Sequence, residues 1–227
     1  MDAKPLAGLK AKILVLFPLS FFLFAAMLMV PAGSVRYWEG WAFCAVIFLP
    51  ALFGSLYFLQ RSPELLERRM KFKEKELAQR TLMDLGYIVF FAGLFVAAFD
   101  ERFGWSAVPA WLVIVADAVV LAGWFLVFLS FRENAFAGRT IEVVEGQHVI
   151  ATGPYAVVRH PMYAGLLPIF LAMPVALGSW WALLFFFPVC AGIVPRLLDE
   201  ERFLRRDLQG YSDYCRRVRY RLVPWVW

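Results

Sequence analysis

The sequence predicts an all-α integral membrane protein. It should have about five to six transmembrane helices, the last two forming a tight hairpin, and a small cytosolic cap. Three observations carry that prediction. Of the 227 residues, 62% are hydrophobic and 18% charged, whereas a soluble domain is nearer half apolar and a quarter charged. Several runs of about 20 residues are almost free of charge, which is the helical length a bilayer core requires. Finally, 21 of the 23 Lys and Arg residues fall in the termini and alternate connecting segments, the bias that fixes topology with those segments facing the cytoplasm.

The first span is 13–33, "ILVLFPLSFFLFAAMLMVPAG", with Lys4, Lys10 and Lys12 before it. It exceeds the core of a cleaved signal peptide and reads as a retained helix. The second is 41–59. Residues 60–84 then carry seven basic and five acidic side chains. Their apolar residues Leu65, Leu66, Met70 and Leu77 recur at near-helical spacing, so the segment reads as an interfacial amphipathic helix starting at Ser62-Pro63-Glu64. A third span, about 85–99, is short or begins earlier. The fourth, 107–131, holds Asp117 near its middle, where a carboxylate marks a functional site, bonds to another helix or carries a proton.

Residues 1–131 thus form an N-terminal set of transmembrane helices, and 132–227 a second unit made of a loop, a hairpin and a tail. In the loop, "TIEVVEGQHVIA" reads as a small β-hairpin or an extended loop about Gly146. Runs 162–178 and 180–195 are the helical hairpin, broken at Gly178-Ser179. Pro168, Pro174 and Pro188 lie within it, as membrane helices tolerate. Arg36 and Arg102 alone among the basic residues sit in the loops assigned to the opposite side. The charge of +5 is therefore a topology signal and not a nucleic-acid footprint. Cys44, Cys190 and Cys215 are odd in number, two of them in apolar runs, and imply neither disulfides nor a metal site.

Two polar clusters bracket the hairpin. The first is 153–165, "GPYAVVRHPMYAG". Proline after His160 biases that residue away from helix and suits the first helical turn. Arg159 and His160 then stand at a helix N-terminus, which attracts anions. Tyr155 and Tyr163 offer ring faces and hydroxyls. An interfacial belt of snorkelling Arg and anchoring Tyr is the plainer alternative. The second cluster is 195–218, "PRLLDEERFLRRDLQGYSDYCRRV", in which Arg196 and Glu200 share a helix face with Glu201 at its edge. Three consecutive acids disfavour a helix end there. Either the helix continues or the carboxylates are paired, for instance in a ladder with Arg202, Arg205 and Arg206. Glu133-Asn134 reaches the same region or caps its helix. Trp180, Trp181, Trp225 and Trp227 read as interfacial anchors. Phe185, Phe186 and Phe187 read as packing, or as the border of a lipid tunnel.

The series His148, Gly153-Pro154-Tyr155, Arg159-His160-Pro161, Tyr163 and Gly165, followed by Arg196, Glu200-Glu201, Leu204, Tyr211 and Tyr214, resembles the isoprenylcysteine carboxyl methyltransferase family, to which phospholipid methyltransferases are related. The resemblance covers roughly residues 130–224; the spacing to Tyr211 and Tyr214 is one residue shorter than in the family. It implies an integral membrane enzyme that takes S-adenosylmethionine in a cytosol-facing pocket and no metal. Carried over by position, His148, Val149, Gly153, Tyr155, Arg159, His160, Pro161, Tyr163, Gly165, Glu200 and Glu201 hold the cofactor. Arg196 faces a substrate carboxylate and joins Glu201 as a catalytic residue. The acceptor would be lipophilic or prenylated and drawn from the membrane, either a bacterial inner membrane or the endoplasmic reticulum. Three other readings stand beside it: a phospholipid N-methyltransferase, an NADPH-dependent reductase of the sterol reductase type, and a non-catalytic membrane subunit.

Overall fold

The computed structural model describes residues 3–70, 77–138, 143–144 and 146–227. Among them eight α-helices and no strand are found, and the protein is an all-α integral membrane protein. The helices are α1 (Ala3–Ala32), α2 (Trp38–Arg61), α3 (Pro63–Arg69), α4 (Leu77–Phe103), α5 (Ala110–Glu133), α6 (Pro161–Ala176), α7 (Leu183–Asp207) and α8 (Tyr211–Arg217). Four of them, α1, α2, α4 and α5, are long and apolar enough to cross a bilayer. α6 is a shorter apolar helix. α7 is apolar up to Pro195 and then runs on through its acidic and basic residues.

The 60–84 segment is not one amphipathic helix. Pro63 has no N–H with which to continue α2, and it holds Ser62 in a non-helical conformation (φ −154°). α3 starts there, with Pro63 at its first position, and ends after seven residues. Residues 71–76 lie outside the described residues, and α4 begins at Leu77, so the third span does start earlier than 85. The same device opens α6. His160 is non-helical (φ −126°) and Pro161 takes the first helical position. Of the segment 140–151, residues 140–142 and 145 lie outside the described residues. The rest has no ladder, only a turn in which the Gln147 N–H donates to the Val144 carbonyl.

α6 packs most extensively on α5, while α4 packs on both α7 and α1. The α5–α6 approach needs two glycines. A Cβ built on Gly165 would lie 2.7 Å from the Gly123 carbonyl oxygen, and one on Gly123 2.6 Å from that of Gly165. Gly165 is therefore a packing residue.

The turns after α1, α4 and α6 meet at one end of the bundle. There the buried Asp100 carboxylate accepts from the Ser106 N–H (2.7 Å), the Ser106 hydroxyl (2.6 Å) and the Ser179 hydroxyl (2.5 Å). The Tyr37 hydroxyl donates to the Leu177 carbonyl, and the Trp180 indole N–H donates to the Ala107 carbonyl. Arg36 and Arg102 belong to this end. The α3 helix, the described residues of the 134–160 loop, the polar half of α7, α8 and the tail gather at the other. Asp117 is 8% exposed and its Oδ1 has no hydrogen-bond partner, so the interhelical bond expected for it is not made. Gly165→Val should force α5 and α6 apart at a cost of about 1–3 kcal/mol. Thermal unfolding in detergent should show a midpoint lower by several degrees.

Candidate functional site

The loop before α6 is shaped by its backbone first. Gly153 adopts φ +57°, where a side chain is strained, and a Cβ there would lie 3.0 Å from the Glu133 carboxyl carbon. The following 3-10 turn, Gly153–Ala156, buries Tyr155. Its carbonyl accepts from the Tyr214 hydroxyl (2.8 Å) and its hydroxyl accepts from Asn134 Nδ2 (3.3 Å). Thr152 donates to Glu133. Asn134 and Glu133, at the end of α5, are thus both spent on fixing this loop. Burial pushes the phenols of Tyr155, Tyr211 and Tyr214 above their ordinary range, so all three remain protonated donors at neutral pH.

The next two residues pair with the tail. The Arg159 N–H donates to the Tyr220 carbonyl (2.9 Å) and the His160 N–H to that of Arg221 (3.0 Å). Their side chains converge on Glu201 of α7, which is 3% exposed. Arg159 Nε lies 2.7 Å from its Oε1 and His160 Nε2 3.3 Å from the same atom. Arg221 Nε donates to Oε2 at 3.1 Å, and Arg205 stands 3.8 Å away. The anion expected at the α6 N-terminus is therefore this internal carboxylate. Burial alone would raise its pKa. The His160 hydrogen bond and the charges of Arg159, His160 and Arg221 outweigh burial and hold it at about 2.

A cavity of about 640 Å³ lies beside this cluster. His148, Val149, Tyr155, Arg159, His160, Tyr163, Arg196 and Glu200 all line it. Gly153, Pro161, Gly165 and Glu201 are not among its lining residues. Gly153 and Pro161 shape the backbone, Gly165 packs against α5, and Glu201 holds its cationic neighbours from beneath. The carboxylate presented to the cavity is that of Glu200, which accepts from the Tyr163 hydroxyl at 2.8 Å. Arg196 donates to Gln79 Oε1 (3.0 Å), and Gln79 in turn donates to Asp199. Arg202 closes on Asp199 at 2.7 Å. The acids of α7 are thus paired and the helix also continues, so the two expectations hold together.

Sequence reasoning missed one wall. Leu82, Met83, Gly86 and Phe90 of α4 line the cavity, as does Arg69 of α3, although the family resemblance begins only near residue 130. The small Gly86 in an otherwise bulky run was the available sign. Arg69 donates to the Gly138 carbonyl (3.1 Å) and stacks on Phe131, 4.6 Å from its ring centre; nothing in its charged neighbourhood singles it out. Of the three phenylalanines 185–187, none lines the cavity: Phe186 is wholly buried and Phe187 faces outward.

The chain matches a family model described as phospholipid methyltransferase over residues 111–209, less than half its length. It is also similar to the Delta(14)-sterol reductase TM7SF2 of Mus musculus, at 33% identity over 106 residues, 43% of this chain. The match spans only a quarter of that relative's length.

Glu201→Gln removes the counter-charge of buried cations and should cost about 3–5 kcal/mol. In the unaltered protein the carboxylate's pKa is depressed from 4.5 to about 2. Its stabilisation is therefore present above the unfolded-state value and lost as pH falls from about 4.5 to about 2. Acid titration of the unfolding midpoint in detergent should show that loss, and Glu201→Gln should remove this part of it.

Proposed function

We propose that this protein transfers a methyl group from S-adenosylmethionine to a lipophilic acceptor, most readily the carboxylate of a prenylated cysteine or an analogue. One observation carries the reading. A polar chamber and an apolar annex belong to one continuous cavity, and Arg196 stands at their junction, one helical turn from Glu200 on the polar side and one from Gly192 on the apolar side. The match to the phospholipid methyltransferase model supports membrane methyl transfer in general. Neither it nor the cavity specifies the acceptor.

The chamber's donor set fits the methyl donor. The Glu200 carboxylate and Tyr163 hydroxyl suit an ammonium or a ribose diol. The ring faces of His148, Tyr155 and Tyr211 suit adenine and a sulfonium cation. When bound, the donor supplies an electrophilic methyl: an acceptor oxygen forms the new C–O bond while the C–S bond breaks, its electron pair going to sulfur. Carboxylate and sulfonium thereby become a neutral ester and a thioether, so a low-dielectric site favours the products over the ions. Arg196, steadied by Gln79, orients the acceptor carboxylate, whose pKa near 3.5 leaves it ionised without a base. An amine acceptor, with a pKa of roughly 10, must first lose a proton. Glu200 or His148, both of which line the chamber, would be the group to take it. The positive segments at this end of the bundle support a cytoplasmic orientation of the chamber.

The likeness to a sterol reductase favours a second reading, in which hydride from NADPH and a proton add across a lipid double bond. Calorimetry in detergent separates the two. S-adenosylhomocysteine should bind, and Tyr155→Ala or His160→Ala should weaken it at least tenfold. Binding of NADPH with no S-adenosylhomocysteine binding would overturn the methyltransferase reading. With labelled methyl donor, acetyl-farnesylcysteine should give a base-labile product and phosphatidylethanolamine should give far less. Arg196→Ala should lower kcat/KM for the carboxylate about a hundredfold, a loss of transition-state positioning. Cofactor affinity should stay within a few fold.

A further inference from the structure

The apolar annex has a floor, and three helices place it at the same depth. On α4 the lining ends at Phe90 and Phe91, on α6 at Phe170 and on α7 at Pro188. Beyond that level the helices are sealed. A Cβ on Gly93 would meet Phe186 at 2.7 Å and Phe185 at 2.9 Å, and Leu94, Met173 and Phe186 are buried. Phe90 joins Phe170 and Phe186 in edge-to-face contacts at 6.0 and 5.5 Å. From Arg196 to Pro188 is eight residues, and so is Leu82 to Phe90; each spans about 12 Å of helix. A saturated C–C bond of about 1.5 Å opened at about 111° advances roughly 1.25 Å, so that depth takes a chain of about ten carbons.

Two further observations concern the sides. Gly192 lines the annex, and a Cβ there would meet nothing within 4 Å. Leu85 and Phe91 line the annex and are also exposed on the outer surface, so it opens sideways toward lipid. Within a bilayer, moving a tail from lipid to protein gains little from the hydrophobic effect, and fit decides.

We infer that Phe90 and Phe170 form a floor that limits the enclosed part of the acceptor's hydrocarbon tail to about ten carbons. Longer tails turn sideways into the bilayer past Leu85 and Phe91. The inference rests on the methyl-transfer reading only for the group at the tail's reacting end.

The test uses the full chain in lipid nanodiscs and straight-chain carboxylates of six, ten and sixteen carbons with a terminal diazirine. After photolysis, the labelled peptides are identified by mass spectrometry. The ten-carbon probe should label the Phe90 and Phe170 peptides. The sixteen-carbon probe should label the outer faces around Leu85 and Phe91. Gly192→Leu, whose Cβ meets nothing within 4 Å, should cut floor labelling by the ten-carbon probe about tenfold, and the six-carbon probe should not label the floor in either protein. Phe170→Ala should let the sixteen-carbon probe label below the old floor. It should also raise the farnesyl-over-geranyl ratio of kcat/KM about tenfold, the scale on which a pocket discriminates by size. Labelling that ignores chain length and Gly192→Leu would overturn the inference even if methylation is robust. Length-dependent labelling in a protein that methylates nothing would support the inference and sink the methyl-transfer reading instead.

Discussion

A single buried carboxylate organises the polar end of this molecule. Glu201 sits 3% exposed beneath the cavity with Arg159, His160 and Arg221 around it. These residues come from α7, from the residues before α6 and from the tail, so one ion cluster ties three remote stretches of chain. A charge placed there without partners would be far too costly. The cluster therefore forms whole or not at all, and with it form the backbone pairing of 159–160 to 220–221 and the seat of the tail. Such a cluster adds little stability compared with an apolar core of the same volume. What it supplies is a defined geometry at the mouth of a cavity that would otherwise be built from loops.

The two ends of the bundle have opposite characters for the same physical reason. At the far end the helix turns are short, and their polar groups are satisfied locally by Asp100, Ser106, Ser179 and Tyr37. At the near end α7 outlasts its apolar part, and Arg196 and Glu200 project from a rigid helix into enclosed space. Between the ends, α5 and α6 close to glycine contact, whereas α4 and α7, in contact at Gly93, leave a cavity between them toward the polar end. That gap makes the annex. The cavity is a consequence of where small and large side chains fall on four helices, and the polar chamber is its wet continuation.

This arrangement makes chemical sense for a reaction between a water-soluble ionic donor and a membrane-soluble acceptor. The two reactants need separate entrances and one meeting point. A helix that runs from an apolar half into a polar one would provide the meeting point on a single face: Gly192, Arg196 and Glu200 follow one another at intervals of one turn. The same architecture would serve other pairings of a soluble cofactor with a lipid. A relative described as a Delta(14)-sterol reductase shares part of this sequence, and a shared fold does not by itself fix the reaction.

The sequence by itself determined the class of the protein and most of its helices, because bilayer length and charge bias are local properties of a chain. It also marked the two polar clusters about the hairpin, and proline placed the start of α6. It could not divide labour between Glu200 and Glu201, adjacent residues of like chemistry. Only packing turned one toward the cavity and buried the other among cations. Nor could it assign Gly165, whose role depends on Gly123 forty-two positions away, or find the α4 wall, whose side chains read as ordinary lipid-facing residues. Those outcomes rest on distances between segments remote in the chain, which no local periodicity encodes.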